Sequence, residues 1–283
     1  MKTPLPIRGL VTPAAVEQAR FDWGEGSPLW QTRILGEFPA MGANGLFSLD
    51  WLEAAVRVPP DPPLSTSSGP TLAEQLERVG ASARRGEVSP VSYFLGVDVA
   101  RSGTDDTVHA LLRGNALVRL DSWHGQDTMK TAGKVREYWD DHNRPFTLPS
   151  GLTEQRSLTI AIDDGGVGGG VVDRLREQNV VVEAISFGAA AEGRNHHKFK
   201  NKVSAMYWVL HEQLKAGLLC IPEHPKLWAQ LTQIEWELES DRVIRVYKRG
   251  RQDTAPSPDL ADALALAVEA RYRGSFPIGG IFL

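Results

Sequence analysis

One cysteine, Cys220, stands in 283 residues. Without a second thiol there is no internal disulfide, and a Cys-rich zinc or iron–sulfur site is excluded too. In GLLCIP the residue reads as a small buried hydrophobe. Long apolar runs are also missing. None reaches the ~18 residues a membrane helix needs, and the longest candidate, LADALALAVEA, carries Asp262 and Glu269. The opening MKTPLPIRGL is broken by prolines and does not read as a signal peptide. Net charge is small, with 31 Lys+Arg against 35 Asp+Glu. Alone, that balance argues against non-specific phosphate binding, unless the basic residues are clustered. No internal repeat is visible. At 42% hydrophobic and 23% charged residues, disorder and collagen-like repetition are excluded. These absences together predict a soluble protein of cytoplasmic type, with no membrane partner.

Composition changes at PPDPPLSTSSGP (59–70), which reads as a linker or surface excursion. Before it lies a Trp-rich, irregular N-terminal piece with short helices expected at 13–20 and 48–57. After it, TLAEQLERVGASARRG reads as a polar helix. From Tyr93 the pattern becomes regular. YFLGVDVA, TVHALLRG and ALVRLDSW predict three strands of an antiparallel meander, with a tight turn at Asn115. A helix is expected over 127–142 with Asp127 as its cap, then a buried strand LTIAID (158–163). A glycine loop, a helix near 168–178 and a strand NVVVEAISF follow. Helices over 201–216 and 224–236, a strand RVIRVYK and a last helix SPDLADALALAVEARY with Pro258 in its first turn complete the chain. The fold class is α/β, a mixed sheet of three antiparallel and then parallel strands, flanked by helices. The tryptophans Trp139, Trp208 and Trp228 read as core packing.

The informative feature is where aspartates fall. Asp98 sits inside an apolar strand, Asp163 closes another, and Asp262 lies on the apolar stretch of the last helix, with Asp259 one turn earlier. An unpaired carboxylate in such a place is costly. Three together are neutralised by sharing protons or cations, and hard oxygen ligands favour Mg²⁺ or Mn²⁺. Two such ions suit in-line phosphoryl displacement. Taken singly, each reads more readily as a cap, an ion-pair partner or a loop acid than as a ligand; the three together favour a metal site. Asp105 and Asp106 follow the first strand in a turn, with Asp105 a candidate supporting ligand. The loop DDGGVGGGVV is no P-loop, because no Gly-Lys-Ser/Thr follows. It reads as a tight turn that admits close backbone approach.

Charge is segregated locally. RNHHKFKNK contains Arg194, Lys198, Lys200 and Lys202, and RVIRVYKRGR contains Arg242, Arg245, Lys248, Arg249 and Arg251, neither run holding an acid. Each alone suits a solvated face. Beside a metal–carboxylate site they predict a phosphate-tracking groove whose affinity comes from counterion release. No major-groove recognition helix is present, so little sequence specificity is expected. His196 and His197 are adjacent and point different ways, which suits polar contacts better than a metal pair.

In their order, GVDVARSGTDDT, IAIDDGGVGGGVVDRL, KFKNKVSAMYWVLHEQLKAGLLCIP and SPDLADALALA resemble the C-terminal nuclease domain of tailed-phage terminase large subunits. GLVTPAAVEQARFDWGEGSPLWQTRILGEFP resembles the stretch joining that family's ATPase motor to its nuclease. The resemblance implies a ribonuclease H-like fold and a DNA endonuclease that cuts concatemeric viral DNA during packaging. It implies Asp98, Asp163 and Asp262 as catalytic metal ligands binding two divalent cations, with Asp98 bridging them and Asp105 and Asp259 in support. Lys248 falls where relatives carry a basic residue. The DNA-contacting set is then Arg194, Lys198, Lys200, Lys202, Arg245, Lys248, Arg249 and Arg251. Implied partners are double-stranded DNA, the portal, the small terminase subunit and a motor domain absent from this chain, which has no Walker A sequence; the implied location is the host cytoplasm. On this reading 1–58 is the connecting segment, 59–90 a linker or insertion with its polar helix, 91–273 the nuclease domain and 274–283 an apolar tail. Two other readings use the same residues. GVDVARSGT loosely resembles the first phosphate loop of actin-like and sugar-kinase phosphotransferases, and the tail GSFPIGGIFL suits a non-catalytic DNA-binding or portal-docking module.

Overall fold

The computed structural model describes residues 44–56, 88–100, 105–149, 151–192, 196–239, 243–248 and 257–274, with a few single positions before 44. The elements in chain order are α1 (Leu49–Ala55), β1 (Val88–Asp98), β2 (Asp106–Arg113), β3 (Ala116–His124), α2 (Thr128–His142), β4 (Pro145–Thr147), β5 (Thr153–Asp163), α3 (Gly168–Glu177), β6 (Glu183–Ile185), α4 (Lys202–Lys215), α5 (Pro225–Thr232), β7 (Ile234–Leu238), β8 (Ile244–Lys248) and α6 (Asp259–Gly274). No helix among the described residues is long and apolar enough to cross a membrane. The polar helix expected after the linker and the C-terminal tail lie outside the described residues.

The main sheet has the order β3-β2-β1-β5-β4, with β6 also on β5. β1, β2 and β3 form the expected antiparallel meander, whereas β1 and β5 run parallel. β4 pairs with the start of β5 and β6 with its end. Side chains alternate across such a sheet, and here both faces are covered. Tyr93, Leu95 and Val97 of β1, with Leu158, Ile160 and Ile162 of β5, pack beneath α2 and α3. Phe94 and Ala161 turn the other way, into a core with α1, α4, α5 and α6. Helix α6 is buried nearly throughout, as its apolar periphery requires. Its alanines at 261, 263, 265 and 267 let its backbone lie close to the sheet.

Gly96 is the point of closest approach. A Cβ there would stand 2.9 Å from the carbonyl carbon of Leu266, and nearer still to the Ala263 carbonyl oxygen and the Ala267 nitrogen. Only glycine admits the helix at this depth.

Local signals set some elements, and tertiary contacts override others. Asp127 caps α2, accepting the Lys130 N–H at 2.8 Å, and Asn201 caps α4 through the Ser204 N–H at 3.1 Å. The helix expected over 224–236 ends at Thr232, and Ile234–Leu238 is instead a strand pairing with β8. The cause is tertiary: Trp236 stacks edge-on against Trp208 at 5.4 Å, and its N–H donates to the Asn44 carbonyl at 2.9 Å. The expected strand NVVVEAISF shrinks to Glu183–Ile185, because only those residues reach β5. Pro258 immediately precedes α6, its carbonyl accepting the Asp262 N–H at 2.9 Å. Cys220 is half-buried, because it runs along β3 through a bridge to Ala116.

Residues 44–56 pack into the core, with Leu46 and Leu52 fully buried. Leu46 donates its N–H to the Ile234 carbonyl at 2.9 Å, and the Ile221 N–H reaches Ala55. β1 starts at Val88, inside the stretch read as linker, since Val88 already pairs with Thr153.

Candidate active site

Asp98 and Asp163 are the last residues of neighbouring parallel strands. The register pairs Val97 with Ile162, so the two aspartates stand side by side, at about the 4.8 Å strand spacing. Each lies two residues beyond a position facing α6, Gly96 and Ala161 respectively. Both carboxylates therefore project on the α6 side, and both are half-buried. The Gly165 N–H donates to Asp163 Oδ1 at 3.0 Å. Gly168, opening α3, sits against the Asp163 carbonyl so tightly that a Cβ would collide with it. This is the close approach expected of the glycine loop.

Because α6 crosses β1 at Gly96 with Ala263 above it, the first turn of α6 overhangs the same end of the sheet. That turn carries Asp259 and Asp262, 8% and 3% exposed. Asp262 Oδ1 accepts the Tyr207 O–H at 2.7 Å, and Asp259 Oδ2 accepts the Asp106 N–H at 2.9 Å. Gln230 of α5 braces the turn from outside. Its Nε2 donates to the Ser257 carbonyl at 3.3 Å and its Oε1 accepts the Ala261 N–H at 3.1 Å.

The electrostatics confirm the crowding. Burial raises the Asp259 carboxyl above its ordinary pKa, opposed by hydrogen bonds from Ser257 and Asp106 and reinforced by the charges of Asp105 and Asp262. Burial also pushes the Tyr207 hydroxyl well up, helped by Asp262 and then by the charges of Asp98 and Asp259. Tyr207 therefore remains a donor, and one buried hydroxyl senses three of the acids. Such a set of carboxylate oxygens suits a hard divalent cation. Among the described residues no group of three or more His, Cys, Asp or Glu side chains stands close enough together to hold a metal ion.

No family model and no curated protein matches the sequence. Solved structures do match in three dimensions. The nuclease domain of the large terminase subunit gp2 of bacterial virus Sf6 aligns with a TM-score of 0.53 at 16% identity, over 79% of this chain and 97% of that one. The large terminase nuclease of thermophilic phage G20c with bound magnesium aligns with a TM-score of 0.51 at 15% identity, over 82% of this chain and 98% of that one. A mutant of the Sf6 nuclease domain with manganese gives 0.51 at 16% identity, over 79% and 98%. This chain has the fold of a phage terminase nuclease domain.

Within that fold, Asp98, Asp163, Asp259 and Asp262 lie toward one end of the sheet. Asp105 is exposed and close enough to Asp259 to act on its charge. The basic residues fare differently. Phe199 bridges to Ile244, so the two basic runs do meet. There, however, Lys200 pairs with Glu239 at 2.9 Å, and Arg245 with Glu237 and Glu239 at 3.4 and 3.9 Å. Lys198 is exposed. Lys202 leaves the DNA-facing set altogether. It is 6% exposed, and its ammonium is 2.6 Å from Glu269, itself buried. The first residue of a helix packed on α6 has no route to a surface phosphate. The β8 backbone places Lys248 opposite Ile234; Arg194, Arg242, Arg249 and Arg251 lie outside the described residues.

Sequence reasoning missed Tyr207, Gln230, Lys226 and the role of Asp106. Tyr207 sits in an apolar helical stretch where only the fold shows what it faces.

Proposed function

We propose that this chain is a metal-dependent endonuclease that hydrolyses phosphodiester bonds of double-stranded DNA with little sequence specificity. The observation that carries the reading is the placement of Asp98 and Asp163 at adjacent strand ends, on the end of the sheet where the first turn of α6 carries Asp259 and Asp262, three of these acids acting on the one Tyr207 hydroxyl. The magnesium and manganese bound by structures of the same fold support divalent cations as the cofactors.

Asp98 and Asp163 would hold the cations from the sheet and Asp262 from the helix, with Asp259 and Asp105 in support. Two Mg²⁺ or Mn²⁺ ions there supply Lewis acidity toward the phosphodiester and its attacking water. The chain's own residues set the donors in place. Tyr207 fixes one oxygen of Asp262, the Asp106 N–H fixes one of Asp259, and Gly165 fixes one of Asp163. Gly96 sets how close helix and sheet acids come. The role that fits this activity is cutting concatemeric viral DNA during genome packaging, in the host cytoplasm, alongside a motor domain, a small terminase subunit and a portal.

Incubation with supercoiled plasmid and Mg²⁺ or Mn²⁺ tests the proposal. Nicked and linear products are expected, absent with EDTA and absent in Asp98→Ala. Undiminished cleavage by Asp98→Ala would remove the assignment.

A further inference from the structure

Among the described side chains, a lysine outside both basic runs stands beside the acids. Lys226, on the first turn of α5, places its Nζ 3.1 Å from Asp106 Oδ2. The backbone N–H of the same Asp106 donates to Asp259. One turn along α5, Gln230 grips the chain on both sides of Asp259. Residues 226 and 230 share a helix face, so this face of α5 looks onto the first turn of α6. His124, at the end of β3, meets the other oxygen of Asp106 at 3.3 Å.

Lys226 is 59% exposed in its side chain. An exposed ion pair of this kind contributes little to stability, so the ammonium can change partner at low cost. Lys200 and Arg245 are held at a different place, against Glu237 and Glu239. Lys226 is joined to Asp259 through a single residue, Asp106.

We propose that Lys226 is a phosphate contact of this site, exchanging Asp106 for a non-bridging oxygen of the DNA backbone beside the phosphodiester to be cut. The identity of the ligand rests on the nuclease reading; the contact itself is tested without cleavage. Such a contact positions the duplex and carries no sequence information.

The experiment uses the full chain in EDTA and a fluorescently labelled duplex of about 30 base pairs, with affinity read by anisotropy across a NaCl series. Each phosphate contact contributes about one unit to the slope of log affinity against log salt. Lys226→Ala is expected to make that slope shallower by about one, equally on two unrelated sequences. Lys226→Arg should keep the parental slope. So should Lys130→Ala, an exposed lysine on α2 over the opposite face of the sheet. A parental slope in folded Lys226→Ala overturns the proposal, as does an equal loss in Lys130→Ala. Failure of the nuclease reading is distinguishable: the parent then cleaves nothing with Mg²⁺ or Mn²⁺ while its salt slope still depends on Lys226.

Discussion

Replacing Gly96 by alanine adds one methyl group at the place where helix and sheet are closest. The new carbon would meet backbone, not flexible side chains: the Ala263 oxygen, the Ala267 nitrogen and, at 2.9 Å, the Leu266 carbonyl carbon. Relief requires α6 to lift as a body by an ångström or so, taking Asp259 and Asp262 with it. Overpacking costs about 1–3 kcal/mol, and rigid backbone on the far side places this case at the upper end. For a domain of this size the melting temperature should fall by roughly 5–10 °C. The catalytic loss should be larger in proportion, because a 1 Å misplacement of reacting groups costs ~10²-fold. The assay is thermal unfolding followed by circular dichroism, beside metal-dependent plasmid cleavage. Gly133→Ala provides the control. It lies within α2, where a Cβ would meet nothing within 4 Å, so the same substitution should stabilise by roughly 0.5–1 kcal/mol. A Gly96→Ala protein that melts with its parent would refute the claim that this glycine sets the helix–sheet distance.

The remaining predictions use other parts of the molecule. His109 is fully buried between Trp123 and Tyr138, and burial lowers its pKa to about 3. The unfolded chain binds a proton near pH 6.5 and the folded chain does not. Its contribution is therefore complete above that pH and lost as pH falls toward 3. Between pH 7 and 4.5 the parent should lose about 2–3 kcal/mol more than His109→Leu in denaturant titrations. Equal losses would show that the imidazole is not held neutral. Lys202→Ala leaves the buried Glu269 carboxylate with Arg273 as its remaining partner and should cost about 1.5–3 kcal/mol. It should leave the salt slope of DNA binding unchanged in whatever protein remains folded, and a shallower slope would return Lys202 to the DNA-facing set.

Much of this was legible along the chain. A continuous apolar run with β-branched residues can only be a buried strand or helix segment, and YFLGVDVA and LTIAID are strands as read. A carboxylate inside such a run carries an energetic cost that asks for a compensating partner, which singled out Asp98, Asp163 and Asp262 without any structure. Capping chemistry is likewise local, and it placed the start of α2 at Asp127 correctly.

Other features belong to tertiary structure alone. Whether IEWEL continues a helix or pairs as a strand depends on Asn44 and Trp208, both distant in sequence. Lys202 and Lys226 are both lysines near the start of a helix, and no local signal separates them. Packing of α4 on α6 buries one against Glu269, and the position of α5 at the sheet's end puts the other beside the acids. Tyr207 and Asp262 are fifty-five residues apart, and their meeting follows from how closely Gly96 lets α6 approach. The sequence by itself determined which carboxylates fall within apolar elements and so ask for a compensating partner, because burying charge is costly wherever it occurs. Only the folded chain decided which of them share a site, because that depends on distances between elements that no local pattern encodes.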